Sequence, residues 1–123
     1  MTDIRWYWEN DEFGICAEGH AEYNPGNDIV CSAISCLLQT LYAGLEMQCF
    51  TPVEHRQESG KFVLNGKCRY PHKDRAVVVF DSILYGLELI AEQYPDNVRI
   101  TRVRTYAEMN ERGGGNPFQH SVT

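Results

Sequence analysis

The sequence predicts an α+β fold, a small sheet with two helices packed on one face, in the order β-β-α-β-β-α-β. Three observations predict it. Ile4, Trp6 and Trp8 alternate with Arg5 and Tyr7, the two-residue period of a half-buried strand. Ile29, Val30, Ala33, Ile34, Leu37, Leu38, Leu41, Tyr42 and Leu45 recur at helical spacing. Phe80, Ile83, Leu84, Leu87, Ile90, Ala91 and Tyr94 do the same over four turns. Strand pairs separated by such stripes pack as helices on a sheet.

Taken in order, residues 4 to 8 form the first strand. The polar run 9 to 12 turns, and 13 to 18 form a second strand, hairpin-paired with the first and leading to His20. Asn24-Pro25-Gly26-Asn27 is a loop of strong turn formers. Asp28 then caps a helix over about 29 to 46, with Gly44 near its end. Residues 50 to 56 read as a third strand, with Pro52 tolerated at an edge. Gln57-Glu58-Ser59-Gly60 turns the chain into a fourth strand, 61 to 69. Val77-Val78-Val79-Phe80 is strand-like by residue type. The helical spacing that follows is longer, so the segment reads as a helix over 74 to 94, capped by Asp74 and stopped by Pro95. Residues 98 to 103 are a last strand. The domain spans 1 to 103, and 104 to 123, with Gly113-Gly114-Gly115-Asn116-Pro117, read as a flexible tail.

The chemistry concentrates where the loop meets the first helix. With Asp28 as N-cap, Cys31 is the third helical residue, where the helix dipole and free N–H groups favour a thiolate. Cys31 falls at the margin of the apolar stripe and can be reached from outside the core. His20, at the end of the second strand, can be brought opposite it. A thiol, a helix N-terminus and an imidazole together make an activated nucleophile with its base. Ser35 lies one turn on, on the same side of the helix. On residues alone a single Cys and a single His also fit packing roles. Asp28 fits a cap alone, and Ser35 a hydroxyl bonded back to the helix carbonyls.

The order Gly19-His20-Ala21, then Gly26-Asn27-Asp28-Ile29-Val30-Cys31-Ser32-Ala33-Ile34-Ser35, resembles the signature of the ribosomal-processing cysteine protease family, Prp. Over about residues 4 to 103 the resemblance implies a small α/β fold of this element order, usually a homodimer. It implies a Cys31 nucleophile with His20 as base, and places Asp28 and Ser35 at family motif positions. Gly19 and Gly26 would let the loop close over the dyad, and Tyr23 either lines the cleft or lies on the surface. The implied substrate is the basic N-terminal extension of large-subunit ribosomal protein twenty-seven. A phage-associated homologue with another substrate, an inactive binding module and a thiol sensor are the alternatives. Departures from the family pattern are Glu18 before Gly-His, Ser32 after the Cys, Cys36 in the first helix, and the tail.

Composition bounds the rest. At 123 residues the chain makes one domain. A hydrophobic share of 43% and a charged share of 23% are ordinary for a globular protein. No apolar run is expected to cross a membrane, and the start Met1-Thr2-Asp3-Ile4-Arg5-Trp6 lacks a signal-peptide pattern, so the reading is cytoplasmic. A net charge of -6 suits a basic partner and argues against direct nucleic-acid binding. The cysteines Cys16, Cys31, Cys36, Cys49 and Cys68 are odd in number and lack a Cys-x-x-Cys pair. Reduced thiols and no metal or other cofactor are expected.

Overall fold

A computed structural model of the chain describes residues 1–110. Five strands and three helices follow the order β1 (Thr2–Glu9), β2 (Glu12–Glu18), α1 (Ile29–Met47), β3 (Val53–Glu58), β4 (Lys61–Lys67), α2 (Lys73–Gln93), β5 (Val98–Arg102) and α3 (Tyr106–Asn110). The strands form one sheet in the order β3-β4-β2-β1-β5. All neighbours are antiparallel except β1 and β5, which run parallel with Thr2 opposite Val98. The α+β class and the first seven elements are as the sequence predicts.

Two-residue alternation sorts the sheet into two faces. Ile4, Phe13, Ile15, Ala17, Phe62 and Leu64 point to the side covered by α1 and α2. There they meet Val30, Ile34, Leu38, Leu41 and Leu45 of α1 and Ala76, Phe80, Ile83, Leu84 and Leu87 of α2. Phe80 anchors an aromatic group: its ring lies 5.2 Å from Trp8 and 5.9 Å from Phe13, each edge-on. Each fully buried side chain of this kind contributes roughly 1.5–3 kcal/mol. By length and a mean hydropathy of 1.4, α1 is long and apolar enough to cross a membrane, which corrects the expectation that no segment is. Its apolar stripe faces the sheet, and Ser32, Ser35, Gln39 and Thr40 make the opposite side polar and exposed.

Several boundaries move. β3 begins at Val53 and not at residue 50, because Phe50 takes a left-handed φ of +49° and Thr51 turns inward, its hydroxyl bonded to the Cys49 carbonyl. The cap of α2 is His72, not Asp74, which lies exposed in the first turn. The largest difference is α3. Residues 106–110, assigned from sequence to a tail, fold onto the second sheet face, where Met109 is fully buried with Tyr7, Cys16 and Val63. Buried Arg5 secures it, donating to the Met109 carbonyl at 2.6 Å while paired with Asp3 at 2.7 Å and Glu18 at 2.5 Å. A buried guanidinium needs such pairing, since unpaired it would carry a large desolvation cost. Residues 111–123 of the expected tail lie outside the described residues.

Candidate active site

Four elements converge on one end of the sheet. The loop from Gly19 to Asp28 leaves β2, α1 begins at Ile29, the β3–β4 hairpin turns at Ser59-Gly60, and Asn97 precedes β5. Between them lies an open cleft of about 350 Å³. His20 and Gly19 line it from the loop, Cys31 and Ser35 from α1, and the hairpin closes a third side from Gln57 to Phe62. Ile34, Leu38 and Phe62 give it an apolar floor. Tyr23 does not line it; its exposed ring packs edge-on against Tyr94.

Asp28 builds the helix start. Its Oδ1 accepts from the Val30 and Cys31 N–H groups at 2.9 and 3.0 Å, and its Oδ2 from Tyr23 and Asn24 at 2.9 and 3.3 Å. Desolvation pushes this carboxyl up, but the four backbone donors outweigh it and hold the group below its ordinary range. One side chain therefore caps α1 and ties the loop to it. The expectation that free N–H groups of the first turn favour the thiolate is corrected here. Two of them belong to Asp28, whose charge also offsets the dipole at that end.

The donor to the Cys31 sulfur comes instead from the loop, the Ala21 N–H at 3.2 Å. Ala21 is buried, and its carbonyl accepts from the Asn97 side-chain amide at 2.9 Å. His20 precedes Ala21 and is exposed, its ring set against Gly60. Among the described residues no hydrogen bond joins His20 to Cys31. Ser35 is exposed and, unlike Ser32, Thr40 and Ser82, its hydroxyl is not bonded back to a helix carbonyl.

The two loop glycines differ. Gly19 has a φ of +94°, donates its N–H to the Gly60 carbonyl at 2.9 Å, and has no room for a Cβ beside the Met1 carbonyl. Gly26 has a φ of +89° and open space around it. Gly19 thus tethers the loop to the hairpin, and Gly26 marks its free bend.

The remaining thiols are placed differently. Burial pushes the Cys16 thiol up to about 11 and raises that of Cys49, the latter also through Cys68. Cys68 is buried against the Thr51 hydroxyl, and Cys36 is exposed on α1 outside the cleft. Cys31 is the one cysteine lining the cleft. Among the described residues no group of three or more His, Cys, Asp or Glu is placed to hold a metal ion.

Residues 1–99 match the family model of cysteine protease Prp. The chain belongs to that family. It is a cysteine protease, and solved structures share its fold. The Prp ribosomal processing protease of Staphylococcus aureus, in complex with a covalently linked product peptide, is 21% identical at a TM-score of 0.68, covering 84% of this chain and 100% of that one. The same protease in complex with a substrate peptide is 19% identical at a TM-score of 0.68, with the same coverage. SMU.848 of Streptococcus mutans is 22% identical at a TM-score of 0.67, covering 85% and 96%. No curated protein matches the chain.

The sequence marks Gly60, which lines the Prp cleft, only as part of a turn, and gives no sign of Asn97, which holds Ala21 behind it. A glycine at the second position of a two-residue hairpin is a signal for Gly60. Nothing local marks Asn97, whose partner is 76 residues away.

Proposed function

We propose that this Prp-family protease is an endopeptidase with Cys31 as nucleophile and His20 as general base. Its substrate on this reading is the N-terminal extension of large-subunit ribosomal protein twenty-seven, removed during ribosome assembly. The observation that carries the proposal is that one cleft is lined by His20 and by Cys31 at the start of a helix. The peptide-bound Prp structures of Staphylococcus aureus support the substrate class, and the net charge of -6 suits a basic partner.

Each group then has a step. His20 takes the thiol proton of Cys31, and the thiolate attacks the scissile carbonyl carbon. The tetrahedral intermediate collapses as His20 returns that proton to the leaving amine, leaving a thioester on Cys31. Water, deprotonated by His20, attacks the thioester; the acid product leaves and Cys31 is regenerated. With Gly19 and Ala21 held on either side of it, rotation of the exposed His20 side chain brings the imidazole onto the sulfur when substrate fills the cleft. Ser35, its hydroxyl free of the helix, faces the bound peptide.

The test is cleavage of a peptide spanning that extension by the parent chain, Cys31→Ala and His20→Ala. Cleavage by the parent and none by Cys31→Ala is the expected result, with His20→Ala slowed at least a hundredfold, the usual contribution of a general base. Cleavage that survives Cys31→Ala would end the proposal.

A further inference from the structure

The hydrogen-bond chain behind the sulfur points to a residue that supports the chemistry from the far end of the sequence. We propose that Asn97 is a positioning residue for the nucleophile. Its side-chain amide holds Ala21 so that the Ala21 N–H is aimed at the Cys31 sulfur. The inference rests on the reading of Cys31 as nucleophile.

Asn97 is itself fixed at three points. Its N–H donates to the Tyr94 carbonyl at 3.0 Å, at the end of α2, and its carbonyl accepts from the Thr2 N–H at 2.9 Å, at the start of β1. Its half-buried side chain donates to the Ala21 carbonyl at 2.9 Å. The donor therefore stands on the joint between a core helix and a core strand. Ala21 needs such a hold. Directly after it Glu22 takes a left-handed φ of +60°, which a side chain with a Cβ adopts only under strain. The loop beyond is exposed. With the Ala21 carbonyl pinned, the peptide on the other side of its Cα presents its N–H to the sulfur at 3.2 Å.

This is a matter of chemistry as well as scaffolding. A donor on sulfur stabilises the thiolate more than the thiol, so it raises the nucleophile's population at a given pH. The Val30 and Cys31 amides are bound to Asp28, and Ala21 is the sulfur's backbone donor among the described residues.

The experiment uses the full chain, Asn97→Leu and Asn97→Ala, and measures the rate of Cys31 alkylation by iodoacetamide against pH, with thermal midpoints alongside. Leucine keeps the size of asparagine and removes the donor. The expected result is that the pH midpoint of alkylation rises by about one unit, and that kcat/KM for peptide cleavage falls several-fold below that midpoint. An unchanged alkylation midpoint, even with a lowered thermal midpoint, would overturn the proposal and leave Asn97 a structural residue. Should the variants not fold, the unmodified chain is decisive by amide NMR. The Ala21 N–H and the Asn97 side-chain amide should both follow the Cys31 titration, and lose that midpoint in Cys31→Ser. Resonances that ignore the titration would overturn it. Retained cleavage by Cys31→Ala would instead overturn the nucleophile assignment itself.

Discussion

Gly60→Ala separates the position of His20 from the stability of the fold. Gly60 has a φ of +74°, and a Cβ built there lies 3.0 Å from His20 Nε2 and 3.4 Å from Cε1. The left-handed φ costs an alanine about 1–2 kcal/mol, which in a domain of this size lowers Tm by roughly 4–8 °C. The contact has a different consequence. Ordinary carbon–nitrogen separation is about 3.5 Å, so the ring must retreat by roughly half an ångström. Because His20 is exposed it can do so at little energetic cost. Displacements of about 1 Å in a reacting group can cost about a hundredfold in rate. Half of that predicts a fall in kcat/KM of about tenfold, or ~1.4 kcal/mol of transition-state stabilisation. The control is Asn10→Ala, in the β1–β2 turn at the opposite end of β2 from His20, where φ is +55°. It should lose about as much stability, ~1 kcal/mol, and keep its activity. The assay is peptide cleavage well below both melting points, with thermal unfolding of each variant. Full activity in Gly60→Ala, or an equal loss in Asn10→Ala, would refute the reasoning.

Two further outcomes follow from the second sheet face. Gly14→Ala places a Cβ 2.6 Å from Tyr7 Cε1 and 2.9 Å from Met109 Sδ, so these buried side chains must shift, at an expected loss of about 2 kcal/mol; an unchanged urea midpoint would show that the face is loosely packed. Burial, chiefly, pushes Tyr7 up to about 12 and Cys16 to about 11, from 10.0 and 9.0. The fold thus keeps both protons after the unfolded chain has released them, and stability should fall as pH rises from about 9 to about 12. Tyr7→Phe should flatten the upper part of that decline in urea unfolding, and a decline of the same depth in both chains would count against the buried phenol.

The parts of this fold that are legible in the sequence are those with a period. Ile4, Trp6 and Trp8 repeat every second residue, and the stripes of α1 and α2 repeat over several turns. Asp28 is legible because a cap must sit directly before its helix. The candidate site follows from that local logic, since Cys31 comes three residues after the cap and His20 two residues after β2. What is hidden lacks a period or lies far away in sequence. α3 is five residues long, too short for a stripe. Its one signal is Thr105-Tyr106-Ala107-Glu108, where the Glu108 N–H donates to Thr105 Oγ1 at 3.1 Å, half of a capping box. The parallel pairing of β5 with β1 has no local signature, and Asn97 inherits that silence. Asp74 misleads for the opposite reason, because a good capping residue placed two positions late is an ordinary first-turn acid.

That parallel pairing bears on when the molecule becomes competent during synthesis. β1 is made almost 100 residues before its partner β5 and the anchor Asn97. Antiparallel pairing of β1 with β2 needs only a short turn and forms early, so a nascent chain displays His20 and Cys31 long before the joint behind Ala21 exists. Late closure of the sheet then acts as a clock. Until β5 docks, the newborn protease carries Ala21, the backbone donor to the Cys31 sulfur, in a loop with no anchor behind it.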